Sequence, residues 1–143
     1  MGLFDFVKTI GKKIFGPGED PAEKIKAMIA ADNPGVENLE VTFENGVVQL
    51  GGTPKSSDAL EKAILMAGNV LGVGEVKLAG SVGAAPSDDT QYHIIVSGDT
   101  LSGIAKKYYG DANKYPKIFE ANREVIKDAN LIFPGQKIRI PKI

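Results

Sequence analysis

Apolar and polar positions along the chain follow two periods, and each change of period marks a new element. Leu3, Phe6, Val7, Ile10 and Ile14 recur at i, i+3, i+4, i+7 and i+11, with lysines at 8, 12 and 13 between them. That is one face of a helix, so an amphipathic helix is predicted over residues 1–16, docked on the rest of the fold. Gly16-Pro17-Gly18 breaks it. Asp20 follows as an N-cap, with Pro21 at the first helical position and Glu23 three residues past the cap. The helix they start carries Ile25, Met28 and Ile29 and stops at Asn33-Pro34-Gly35. The period then falls to two. Leu39, Val41 and Phe43 alternate with Glu40, Thr42 and Glu44, and Asn45-Gly46 is a two-residue hairpin signal. Antiparallel strands are predicted near 39–44 and 47–51. A second helix from Ser57 or Asp58 puts Leu60, Ala63, Ile64, Ala67 and Leu71 on one face, and Glu75–Leu78 alternates as a third strand. Residues 17–82 thus read α-β-β-α-β.

Small and polar residues fill 81–90, and a linker is expected at 83–90. The last part, 91–143, reads β-α-α-β. Tyr92–Val96 is a strand. A helix capped by Asp99 or Thr100 carries Leu101, Ile104, Ala105 and Tyr108 on one face, and a second covers Tyr115–Asn122. Phe133-Pro134-Gly135-Gln136 has the type II turn pattern, and Ile138 and Ile140 alternate with Lys137 and Arg139 in a closing strand. The expected class is α+β, in two small domains.

Composition narrows the chemistry. The formal net charge is −1, which argues against a general nucleic-acid binder, and no cysteine is present. Disulfides, thiolate metal sites and a cysteine nucleophile are excluded, and a reducing compartment is mildly favoured. Asp5 and Lys8 interrupt the first apolar run, so it is not a signal peptide, and no segment approaches the roughly 20 apolar residues of a membrane span. Phe6 stands where the N-myristoylation pattern wants Ser or Thr. A cytoplasmic monomer without membrane contact is expected. A membrane-surface role for the first segment is the weaker alternative. Enzyme chemistry is not expected. The single histidine, His93, lies mid-strand and out of phase with Tyr92, Ile94 and Val96, which reads as a surface position. The acids are scattered along polar faces, and the glycines at 68, 72 and 74 follow a helix, whereas a phosphate-cradling loop would precede one.

Two stretches carry a resemblance. Y-H-I-I-V-S-G-D-T-L-S-G-I-A, from Tyr92 to Ala105, and I-F-P-G-Q-K-I-R-I-P, from Ile132 to Pro141, resemble the two ends of a LysM domain. The hairpin N-G-V-V-Q-L-G-G and the later V-L-G-V-G-E-V resemble a BON domain. The order BON then LysM, behind M-G-L-F-x-F-V-K, is similar to small bacterial potassium-binding proteins of that architecture. The resemblance implies K+ as the bound ion, held by main-chain carbonyls of Val7, Ile10, Lys12, Gly68, Val70 and Val73. Its physics is reasonable. Carbonyl dipoles can replace the hydration shell of K+, and the last carbonyls of a helix lack internal partners. Gly68, inside an apolar helical pattern, suggests close backbone approach. Binding would make the protein compact, as a sensor or buffer of K+. The LysM resemblance implies an alternative, a peptidoglycan or other N-acetylglucosamine glycan held between Gly98, Asp99, Thr100, Leu101 and Leu131, Ile132, Phe133, Pro134. An envelope-associated scaffold, or a protein partner at that groove, would follow from it.

Overall fold

The computed structural model describes residues 3–79, 89–129 and 131–142. Six of the eight positions of the expected linker, 83–88, lie outside them. In the first half, α1 spans Pro21–Ala31, with Asp20 accepting from Ala22 N–H at 3.1 Å as its N-cap. Strands β1 (Val36–Glu44) and β2 (Val47–Pro54) form the hairpin, and Asn45 and Gly46 take positive φ of 51° and 79° at its turn. Helix α2 (Ser57–Gly68) is capped by Ser56 and returns the chain to β3 (Glu75–Leu78), which lies parallel to β2. The sheet order is β1-β2-β3. In the second half, β4 (Gln91–Ile94) pairs antiparallel with β5 (Lys137–Ile140). Between them lie α3 (Leu101–Tyr109), a single 3₁₀ turn at Ala112–Lys114 and α4 (Tyr115–Ala121).

The predicted N-terminal helix is not formed. Residues 3–16 make turns and two isolated bridges, Asp5 with Glu75 and Lys12 with Val70. Their main-chain donors and acceptors are used elsewhere. Phe6 N–H donates to Gly74 C=O, Lys12 N–H to Asn69 C=O, Leu71 N–H to Lys12 C=O, Gly72 N–H to Lys8 C=O and Val76 N–H to Phe4 C=O. A backbone donor or acceptor has to be satisfied, but intermolecular-like bonds to a neighbouring segment do this as well as a helix does. Gly11, at φ 141°, is also incompatible with a helix. The segment is therefore a strap laid along residues 69–76. The helical stripe is split as a result: Leu3 is buried, but Val7 and Ile10 remain 38% and 37% exposed.

Each half has its own core, and the two are joined through α2. That helix is buried almost all round, because the sheet covers one side and β5 the other. The alternation in β5 predicts one apolar and one polar face, yet all four of its residues are buried. Arg139 donates through Nε to Glu61 at 2.9 Å and through Nη2 to Asp58 at 2.5 Å, both on α2. Glu61 is completely buried, unlike the solvated acids the sequence suggests. The Asn69 side chain closes a two-bond clamp on the main chain of Lys137, donating to its C=O and accepting from its N–H, each at 2.8 Å. Lys62 pairs with Glu124 at 3.0 Å, and Lys127 pairs with Asp32. Tyr92 and Val125 of the second half also pack against the first core.

Lys137 reaches from β5 to the strap. Its ammonium donates to Asp5 C=O and stands 4.5 Å from the centre of the Phe6 ring. Burial, only partly offset by the charge of Asp5, pushes the Lys137 ammonium down to a pKa of about 8.

Two outcomes are expected. Truncating one member of a buried ion pair costs about 3–5 kcal/mol. Glu61→Ala should therefore lower the urea midpoint strongly, and Glu61→Leu combined with Arg139→Met should recover most of the loss. An unchanged midpoint for Glu61→Ala would show that the pair adds no stability. For Lys137, the unfolded chain keeps its proton up to about pH 10.4, whereas the folded chain releases it near pH 8. The unfolded state holds more protons in that interval, so stability rises with pH there. The stability difference between wild type and Lys137→Met, followed by urea unfolding from pH 7.5 to about 10, should shift in favour of wild type.

Candidate functional site

The strap brings the two predicted carbonyl segments together. Lys12 bridges Val70 in parallel, and residues 8–12 exchange main-chain bonds with 69–72. Gly11 makes this approach possible: a Cβ there would lie 2.6 Å from Asn69 O and 2.7 Å from Leu71 N. Of the six carbonyls, those of Val7, Lys12 and Val70 each accept one backbone hydrogen bond, from Ile10, Leu71 and Val73 respectively. A carbonyl has two lone pairs, so each keeps capacity for a further ligand. None of the strap's bonds to the loop ends on the oxygen of Ile10, Gly68 or Val73.

Gly68 lacks a side chain for a reason the sequence did not show. The Phe6 ring sits over it, and a Cβ at Gly68 would overlap that ring. The close approach is thus an aromatic side chain against the helix end. α2 stops one residue later at Asn69, whose N–H returns to Leu65 C=O at 3.0 Å while its side chain holds Lys137. The negative end of the α2 dipole therefore faces the strap. Among the described residues, no three His, Asp or Glu side chains gather into a metal cluster.

The second set of predicted residues lies on two loops of the LysM-like half. Thr100 caps α3 by accepting from Gly103 N–H at 3.0 Å, and Leu101 is buried. Asp99 has a different task. It accepts from Val96 N–H at 2.9 Å and from His93 Nε2 at 2.8 Å, and these bonds, the backbone one foremost, hold its carboxyl below the usual range. His93 is accordingly not a surface residue. It is 8% exposed, and its Nδ1 lies 3.0 Å from Tyr108 Oη. The antiparallel pairing with Ile138 turns it inward, and two polar partners make that burial tolerable. Gly98 faces open space, and Leu131 is 64% exposed, while Ile132 and Pro134 border the turn closed by Gln136 N–H donating to Phe133 C=O at 3.1 Å. That turn meets the strap: a Cβ at Gly135 would overlap Ile10.

The strap, α2 and the turn line an open pocket of about 350 Å³. Lys12 and Val70 from one predicted set and Leu131 and Phe133 from the other share its walls, together with Met28 and Met66. The two sets are therefore neighbours. Sequence reading missed Phe6 over Gly68, the backbone contact at Gly11, and the Asn69–Lys137 clamp. The pair of glycines was the one available signal, because nothing in a K-I-R-I alternation marks a lysine as buried.

Comparison with known proteins fits this arrangement. The BON domain model matches residues 19–79 and the LysM domain model residues 93–141. Potassium binding protein Kbp of Escherichia coli is 36% identical over 149 aligned residues, covering 99% of both chains. An uncharacterized protein of Deinococcus radiodurans is 36% identical across 86% of this chain, which spans 53% of that protein's length. YqbP of Bacillus subtilis is 37% identical over 59 residues, 35% of this chain and 27% of its own. With a BON domain followed by a LysM domain, and similarity to Kbp along nearly its whole length, the chain belongs to the BON–LysM family that includes the Escherichia coli potassium binding protein.

Proposed function

We propose that this protein binds K+ through main-chain carbonyls of Val7, Ile10 and Lys12 on the strap and of Gly68, Val70 and Val73 at the end of α2, and that it serves in the cytoplasm as a non-enzymatic sensor or buffer of the ion. The observation that carries the reading is the main-chain contact of the strap with residues 69–72, which sets the two carbonyl segments side by side. The name of the Escherichia coli relative supports the choice of ion. K+ is large and weakly hydrated, so neutral carbonyl dipoles suffice to hold it. Val7 and Ile10 offer no side-chain ligand, and the Lys12 side chain, which is exposed, leaves its main-chain oxygen to act. Ion binding would tie strap to α2 and, through Asn69, to the LysM domain, giving the more compact state.

A second reading has its own support. Val96 and Leu131 are exposed large apolar side chains beside the LysM loops, as a sugar-binding groove would have them. Binding of an N-acetylglucosamine glycan there would make the protein an envelope scaffold. Among the described residues no helix is long and apolar enough to cross a membrane. The contact of Ile10 with Gly135 favours the first reading, since the second LysM loop is already engaged by the strap.

Thermal unfolding in rising KCl tests the ion reading, with ionic strength held constant by a bulky organic cation salt and NaCl as control. A ligand of the folded state adds about 2.7 kcal/mol at a hundred times its dissociation constant. A saturable rise in K+ with little in Na+ is expected, and equal curves would turn attention to glycan binding. Gly11→Ala forces a side chain into the loop backbone and should weaken K+ binding about tenfold or more, while Gly68→Val should do the same by displacing Phe6. Unchanged K+ affinity in a folded Gly68→Val protein would remove that position from the site. Deleting residues 2–12 should abolish the K+ response, and a shortened chain that still binds would show that the strap carbonyls are not ligands.

A further inference from the structure

We propose that Lys137 of the LysM domain is a positioning residue for the ion site, one residue that fixes both carbonyl-bearing segments at once. The inference rests on the ion reading above and assigns it a part from the other domain. The main chain of Lys137 is held by the Asn69 amide, through Asn69 Nδ2 to its C=O and from its N–H to Asn69 Oδ1. Asn69 stands between Gly68 and Val70. The side chain of Lys137 runs the opposite way, donating to Asp5 C=O and placing its ammonium over the Phe6 ring. Phe6 precedes Val7 and fills the space above Gly68. Residues 5–7 of the strap, through its side chain, and residues 68–70 at the end of α2, through its main chain, are thus both referred to Lys137. Ligand oxygens keep their geometry only when the groups behind them are themselves fixed.

The charge of Lys137 acts in the other sense, because a cation near a cation site weakens it. In this arrangement the ammonium donates to Asp5 C=O and stands over the Phe6 π-face, neither of which belongs to the six carbonyls. Positioning outweighs repulsion on that account.

The test uses full-length protein and K+ affinity measured by titration, alongside Na+. Lys137→Met keeps the apolar stem and removes both donation and charge. It should weaken K+ binding about tenfold or more and narrow the preference for K+ over Na+. Lys137→Arg restores a donor and a cation for the ring, and should bring affinity and preference most of the way back. Tighter binding in Lys137→Met would mean that repulsion governs and would overturn the proposal. Unchanged K+ affinity with lowered stability would overturn it too, by reducing Lys137 to a domain contact. If Lys137→Met does not fold, Phe6→Leu removes the aromatic platform without touching β5; a loss in the same direction, with no further loss when Lys137→Arg is added, supports the proposal, and full affinity overturns it. A wild-type protein without a K+ response distinct from Na+ would remove the ion reading and this one together.

Discussion

Arg139 between Glu61 and Asp58 is the interaction on which the arrangement of the molecule depends. A buried guanidinium and a buried carboxylate are each costly to dehydrate, and neither is tolerable without the other. Arg139 lies on β5 and its partners on α2, so the cost is met only when the LysM domain is seated on the BON domain. The pair also explains why α2 is buried on nearly every side. A helix with one apolar stripe would suffice for a BON sheet, but this one has a second face to cover. Tyr92 belongs to the same junction: burial and the nearby Glu61 charge raise its hydroxyl well above the ordinary range, so it stays neutral there.

Seating β5 on α2 determines what happens at the end of that helix. Asn69 is at once the C-cap and the clamp on Lys137, so the last carbonyls of α2 are presented in a fixed direction. The strap then lies across them. Its main-chain amides and carbonyls bond to residues 69–76 in place of a helical ladder, which is possible because Gly11 allows backbone to meet backbone without a side chain between. Two aromatic groups complete the seat: Phe6 closes over Gly68, and Phe15 meets Phe43 edge-to-face at 5.8 Å.

The same packing relates the two candidate sites. The turn at Phe133–Gln136 belongs to the candidate glycan site and also touches Ile10 of the strap. One surface cannot serve a glycan and the strap with equal freedom, since each contact occupies the turn. The first LysM loop is differently placed. Its Asp99 is bound to His93 and Val96, and His93 to Tyr108, which makes it rigid without recourse to the BON domain.

Much of this was legible in the sequence, and the remainder failed for identifiable reasons. Asp20-Pro21, Asn45-Gly46 and Phe133-Pro134-Gly135-Gln136 specify their helix start, hairpin and turn through local dihedral preferences, which neighbours in the chain alone decide. Alternating and helical apolar patterns placed the strands and helices of both domains, because each pattern reports one buried face. That same logic misled wherever a second face was buried. The stripe Leu3, Phe6, Val7, Ile10 and Ile14 satisfied the helical template, but the main chain of residues 4–12 found its partners in the distant segment 69–76. His93 looked solvent-facing, Glu61 looked solvated, and Lys137 and Arg139 looked like the outer face of a closing strand. Their burial comes from contacts between distant segments and carries no local signature. Local sequence thus determined the elements and the composition of both domains; tertiary structure decided how they meet, because the charges that join them become tolerable only in each other's presence.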